Sequence, residues 1–163
     1  MERSTAPSVG QGSLVTTDPA ETRAVGRALG KAATPGTVLA LRGELGAGKT
    51  QLAKGVADGL GVTSTVNSPT FVLMNEHAGR LRLYHIDAYR LGDPEEALAA
   101  GLLDEREIDG VSVIEWADRL DGWLPVERLD ITLSLESGPT ERRLRWEAHG
   151  PHHRRLAEAL ARS

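Results

Sequence analysis

Cysteine is absent from the 163 residues, which excludes a disulfide framework, a zinc ribbon and a thiol nucleophile. Aromatic residues are scarce: one phenylalanine, two tyrosines and three tryptophans. So few rings cannot build a platform on which bases stack. No apolar run approaches the length of a membrane span. The N-terminal Met1-Glu2-Arg3-Ser4-Thr5-Ala6-Pro7-Ser8 lacks the apolar core of a secretory signal, so a soluble cytoplasmic protein is the expectation. Lysine occurs three times, at Lys31, Lys49 and Lys54, and the net charge is −4. This acidic balance argues against an autonomous nucleic-acid binder, which is normally basic.

Against these absences stands one dense motif, Gly43-Glu44-Leu45-Gly46-Ala47-Gly48-Lys49-Thr50, which fits the P-loop pattern G-x-x-x-x-G-K-[ST]. Its surroundings fit too. Thr37-Val38-Leu39-Ala40-Leu41 reads as a buried strand before it, and Leu52, Val56 and Leu60 share one helical stripe after it. Glycines let such a loop fold around a phosphate with its N–H groups inward, and the following helix adds its positive end. Lys49 is placed to reach the β- and γ-phosphates, and Thr50 to offer a hydroxyl to Mg²⁺. The expectation is a nucleoside triphosphate binder.

At this length the chain reads as a mobile tail over 1–12 and a single P-loop NTPase domain over 13–163. Asp18-Pro19-Ala20-Glu21 is a helix start, with Asp as N-cap, Pro in the first turn and Glu placed to close a capping box. The helix it opens is expected to bury Val25, Ala28, Leu29 and Ala32. Residues 71–76 and 81–87 read as strands around the turn His77-Ala78-Gly79-Arg80. Asp93-Pro94-Glu95-Glu96 opens a short helix, and Val111–Ile114 is a compact strand. Residues 129–136 alternate, with Ile131, Leu133 and Leu135 on one face, followed by a strand with Leu144, Trp146 and Ala148 aligned. A final amphipathic helix spans His152–Arg162. Strands interleaved with helices, plus a late hairpin, give an α/β fold of three layers, with a mainly parallel central sheet and antiparallel hairpin additions.

A P-loop needs a carboxylate on a neighbouring strand to hold Mg²⁺ and its water. Leu81–Asp87 ends in Asp87, the form of a Walker B strand, although a strand-end Asp also serves as a cap. Ile114-Glu115 repeats the arrangement, so Glu115 is a second candidate for the metal or for orienting water. His85 shares a strand face with Asp87 and reads as a packed or hydrogen-bonded histidine rather than a base. Trp116, next to Glu115, should point away from the phosphates if the strand stays extended. The turn at the strand's end could instead make it a reporter of loop closure and part of a partner surface. Asn67-Ser68-Pro69-Thr70 lies where a switch loop would follow the P-loop helix. Guanine-reading Asn-Lys-x-Asp is missing, and so is a transporter-type Leu-Ser-Gly-Gly, which favours ATP. The residues leave three classes open: an ATPase inside a protein complex, a small-molecule kinase, and a nucleotide-gated binding module with negligible hydrolysis.

Taken together, Gly43–Thr50, Ser68-Pro69-Thr70-Phe71, Tyr84-His85-Ile86-Asp87-Ala88-Tyr89-Arg90 and Ile114-Glu115-Trp116 resemble the TsaE (YjeE) family in order and spacing. The resemblance spans about residues 14–148. Departures are small: Glu44 replaces a usual Asp, Ala88 a larger apolar residue, and Ala117 a frequent Pro. The resemblance implies a weak ATPase of bacterial tRNA threonylcarbamoyladenosine synthesis, dependent on partner proteins. Those partners are TsaD and TsaB, whose complex ATP turnover would reset; TsaC separately supplies threonylcarbamoyl-AMP. It implies Thr50 and Glu115 as Mg²⁺ ligands with Asp87 as an acidic neighbour, and Thr70 as a switch residue. Lys49, Asp87, Glu115 and Thr70 would serve catalysis. The segment around Thr17–Thr22 would border the adenine, with Thr17 and Asp18 as its nucleotide-side residues, and Glu44, Leu45, Gly46, Ala47, Gly48, Lys49 and Thr50 would contact the nucleotide. Arg142 is the matching nucleotide-side arginine, with Arg143 as the alternative.

Overall fold

The run Thr37–Arg42 forms strand β2, and its first five residues are buried because strands flank it on both sides. The computed structural model describes residues 10–44, 46–66, 74–89 and 109–162. Seven strands form one sheet: β1 (Gln11–Thr16), β2, β3 (Met74–His77), β4 (Arg82–Asp87), β5 (Gly110–Glu115), β6 (Arg128–Leu135) and β7 (Arg142–His149). Their order is β1-β7-β6-β2-β5-β4-β3. The central four, β6-β2-β5-β4, run parallel, while β3, β7 and β1 add antiparallel edges. The expected α/β architecture, parallel in the middle with antiparallel hairpins outside, is the one observed.

Three helices are described: α1 (Pro19–Ala32), α2 (Lys49–Gly59) and α3 (Pro151–Ala161). All three cover the face of the sheet that carries Leu39, Leu41, Val113, Leu129, Ile131 and Leu133. The opposite face carries Val38, Ala40, Ile86 and Ile114, covered among the described residues by the 3-10 turn Ala117–Leu120 and by Leu124. Asp18 caps α1 as its sequence predicts: the Asp18 carboxylate accepts from the Glu21 N–H, and Glu21 accepts from the Thr17 N–H. Among the described residues, no helix is long and apolar enough to cross a membrane.

Three expectations need correction. Gln11 and Gly12, expected in the tail, belong to β1, which pairs with β7 in the register Gln11↔Glu147 and Gly12↔Trp146. A Cβ on Gly12 would lie 2.5 Å from the Trp146 ring, so the small residue there is a packing requirement. The buried stripe of α1 is Thr22, Val25, Gly26, Leu29 and Gly30, with Ala28 only half-buried and Ala32 exposed. That rotation presents the glycines to α2. Leu135, expected on the buried face of β6, is 50% exposed because the strand outruns the helices that cover it. The short helix expected after Asp93 and the Asn67–Thr70 loop lie outside the described residues, as do residues 71–73 of the first hairpin strand.

Candidate phosphate and metal site

Parallel strands deliver their C-terminal ends to one rim of the sheet, where ligands of open α/β folds bind. Here β2 ends at the Gly43–Thr50 loop, β5 at Glu115 and β4 at Asp87. The register pairs Leu41 with Glu115 and Asp87 with Glu115, so both acids stand beside the loop. Gly43 has φ of 140°, and a Cβ there would approach the Leu133 carbonyl oxygen to 2.3 Å; no other residue fits. Gly48, in the left-handed region at φ of 105°, is the N-cap of α2 and makes no side-chain cap bond. The first N–H groups of α2 lack intrahelical acceptors and face the loop, as an anion requires.

Lys49 opens α2 and is 5% exposed. Its Nζ donates to the carbonyls of Gly43 at 2.6 Å and Glu44 at 2.9 Å. It also lies 3.8 Å from the ring centroid of Trp116. Burial lowers the Lys49 pKa below its usual value, against the pull of the Glu115, Asp118, Asp87 and Glu44 carboxylates. Thr50 Oγ1 donates to Glu115 Oε1 at 3.0 Å. Glu115 is 2% exposed, and its other oxygen, Oε2, meets Nε2 of the fully buried His85 at 2.5 Å. A hydroxyl and a carboxylate in contact are hard oxygen donors of the kind Mg²⁺ prefers.

Asp87 is half-buried at the end of β4, and its Oδ1 accepts from the Tyr89 N–H at 2.9 Å, so it caps the turn that follows. Trp116 corrects the alternation argument. Its φ is 59°, the one positive value among described non-glycine residues, and this left-handed turn swings the indole back over Lys49. Tyr89 packs on the same indole with ring centroids 4.8 Å apart, and the Arg119 guanidinium sits over Tyr89. The two neighbouring arginines of β7 separate by face. Arg142 donates to the Gly46 carbonyl of the loop at 3.1 Å and to the carbonyls of Pro139 and Glu141. Arg143 pairs instead with Glu136.

Thr17 and Asp18 join β1 to α1, with the Thr17 carbonyl accepting from Thr140 at 2.6 Å. Thr22 of the same segment approaches the loop, since a Cβ on Gly48 would lie 3.7 Å from its methyl group. Glu44, Gly46 and Ala47 lie in the loop; Leu45 and Thr70 fall outside the described residues. The structure therefore gathers Lys49, Thr50, Glu115, Asp87 and Arg142 around the loop, and adds Trp116 and His85. Neither addition could be found from spacing alone. The first depends on a left-handed turn and the second on which strand neighbours which.

A second cluster, Asp130, Glu147 and His149, has metal-like spacing on β6 and β7. Asp130 already accepts from Arg42, Arg128 and His149, so the charge is met by protein groups.

Comparison with known proteins follows the same lines. The sequence model of a family described as "Threonylcarbamoyl adenosine biosynthesis protein TsaE" matches residues 16–144. The tRNA threonylcarbamoyladenosine biosynthesis protein TsaE of Bacillus subtilis is 44% identical over 148 residues, covering 90% of this chain and 92% of its own. That of Treponema pallidum is 41% identical over 110 residues, covering 68% of this chain and 82% of its own. The crystal structure of YdiB from Bacillus subtilis superposes with a TM-score of 0.77 at 37% identity, over 96% of this chain and 98% of that one.

Proposed function

The chain belongs to the TsaE family, and on that premise we propose that it is an ATPase accessory to tRNA threonylcarbamoyladenosine biosynthesis. In this reading it binds ATP with Mg²⁺ at the Gly43–Thr50 loop and hydrolyses it slowly when alone. It works with homologues of TsaD and TsaB, resets their complex between turnovers, and meets tRNA only through that complex. The observation that carries the reading is the bond from Thr50 of the loop to Glu115 of the neighbouring strand, with Lys49 folded back on the Gly43 and Glu44 carbonyls of the same loop.

Each residue then has a physical task. The α2 N-terminus and Lys49 would attract the phosphates, Lys49 exchanging neutral carbonyl partners for charged oxygens, which make the stronger hydrogen bonds. Thr50 and Glu115 would hold Mg²⁺, with Asp87 nearby; when bound, the ion neutralises charge on the phosphates. Arg142 braces the loop from β7 through the Gly46 carbonyl. An acidic chain with few aromatics is suited to leave contact with tRNA to its partners.

The test is phosphate release from ATP by the protein alone and with TsaD and TsaB homologues added. Slow release that rises with the partners, with no small acceptor present, is the expected result. Transfer of label from ATP to a metabolite would make the protein a kinase. Release unchanged by partners, despite ATP binding, would make it a nucleotide-gated module.

A further inference from the structure

We propose that His85 is a positioning residue for the metal site: its Nε2–H fixes one oxygen of Glu115 so that the other faces Thr50. The inference rests on the nucleotide reading above. It starts from a chain of contacts across three elements. His85 in β4 meets Glu115 Oε2 at 2.5 Å, and Glu115 Oε1 in β5 accepts from Thr50 in α2 at 3.0 Å.

A carboxylate only accepts, so Nε2 is the ring nitrogen that carries the proton. The other nitrogen, Nδ1, is buried and has no hydrogen-bond partner among the described residues. A fully buried imidazole with one nitrogen unanswered is a costly way to fill space, and leucine would fill it without that cost. Among the described residues, the side chain is therefore explained by its bond to Glu115.

That bond removes a specific freedom. The last torsion of glutamate is broad and weakly biased, so a carboxylate held at one oxygen can still rotate. Held at both oxygens, from two elements on different sides, its plane is set before any ion arrives. Groups that orient a metal ligand in this way typically change metal affinity or activity by about 10–100-fold when removed. The parallel register places Asp87 beside Glu115, with His85 two residues earlier on the same strand face. One strand thus supplies an acid at the rim and a clamp beneath it.

The experiment measures the affinity of a non-hydrolysable ATP analogue by calorimetry, with Mg²⁺ and with EDTA, in the parent and in three variants. His85→Leu removes the donor, His85→Asn keeps polarity but falls short of Glu115, and His85→Gln extends an N–H to about the reach of Nε2. Expected for His85→Leu and His85→Asn is a roughly tenfold fall in the Mg²⁺-dependent gain in affinity, with affinity in EDTA near that of the parent. His85→Gln should recover most of the gain. If His85→Leu fails to fold, the comparison of Asn with Gln decides. An unchanged Mg²⁺ gain in a folded Leu or Asn variant, or a Gln variant no better than Asn, would overturn the inference alone. A parent protein that binds no nucleotide in either buffer would overturn the nucleotide reading and the inference with it.

Discussion

His153 in α3 shows how a single buried imidazole ties this fold to pH. Its Nε2 accepts from the Val38 N–H at 3.0 Å, so the last helix is fastened to the strand that leads into the P-loop. Burial, reinforced by the neighbouring His152 and His149, pushes its pKa from 6.5 down to about 4. Between those values the unfolded chain binds a proton that the folded chain does not. Stability from this group is therefore complete above about 6.5 and is lost as the pH falls toward 4. The parent should lose about 2 kcal/mol between pH 7 and pH 5 in urea unfolding. His153→Gln, whose amide oxygen can still accept from Val38, should flatten that slope. His77, whose pKa burial also lowers, adds a loss of the same sign to both proteins, so the difference between them belongs to position 153. Asp58 is lowered by its bond to Arg23, and Asp130 is lowered by Arg128 and Arg42 against the effect of burial, so both titrate below 3.8. An equally steep loss in His153→Gln would remove His153 from the account.

At the scale of elements, the tightest packing is made of what is missing from four side chains. Gly26 and Gly30 of α1 face Gly55 and Gly59 of α2, so the helix backbones nearly touch. A Cβ on Gly26 would lie 2.3 Å from the Leu52 carbonyl oxygen, and one on Gly55 would lie 2.0 Å from that of Arg23. In an exposed helix, Gly→Ala stabilises by about 1 kcal/mol. Here the sign should reverse: Gly26→Ala or Gly55→Ala should destabilise by about 1–3 kcal/mol through overpacking, read as a fall in the urea midpoint. A midpoint that rises would show that the helices separate freely. This contact also explains why the α1 face read from its apolar residues was rotated. Glycine carries no hydrophobic signal, so Ala28 and Ala32 looked more buried than they are. By contrast, the α1 cap was legible because Asp18, Pro19 and Glu21 act within one turn. The hairpin of β3 and β4 was legible in outline. Its anchorage was not: Arg80 donates to the Gly30 and Ala33 carbonyls at the end of α1, some fifty residues earlier in the chain.

For the whole molecule, what could be read locally was read well. The P-loop, β2 and β5 announce themselves through glycine spacing and short apolar runs. What depended on distant pairing stayed hidden. β1 is small and polar in sequence and becomes a strand only because β7 offers it an edge. The His85–Glu115 contact needed the strand order, and the Trp116–Lys49 contact needed a left-handed turn at the end of β5. These long-range pairings all meet at one claim, that the rim formed by the Gly43–Thr50 loop and Glu115 is a phosphate site. Calorimetric titration of an Mg²⁺-bound, non-hydrolysable ATP analogue into the parent and into folded Lys49→Ala tests it most directly. One analogue per chain in the parent is predicted. A loss of about 10–100-fold in affinity is predicted for Lys49→Ala, the range for a lost hydrogen bond to a charged group. Equal affinity in the two proteins would contradict the account.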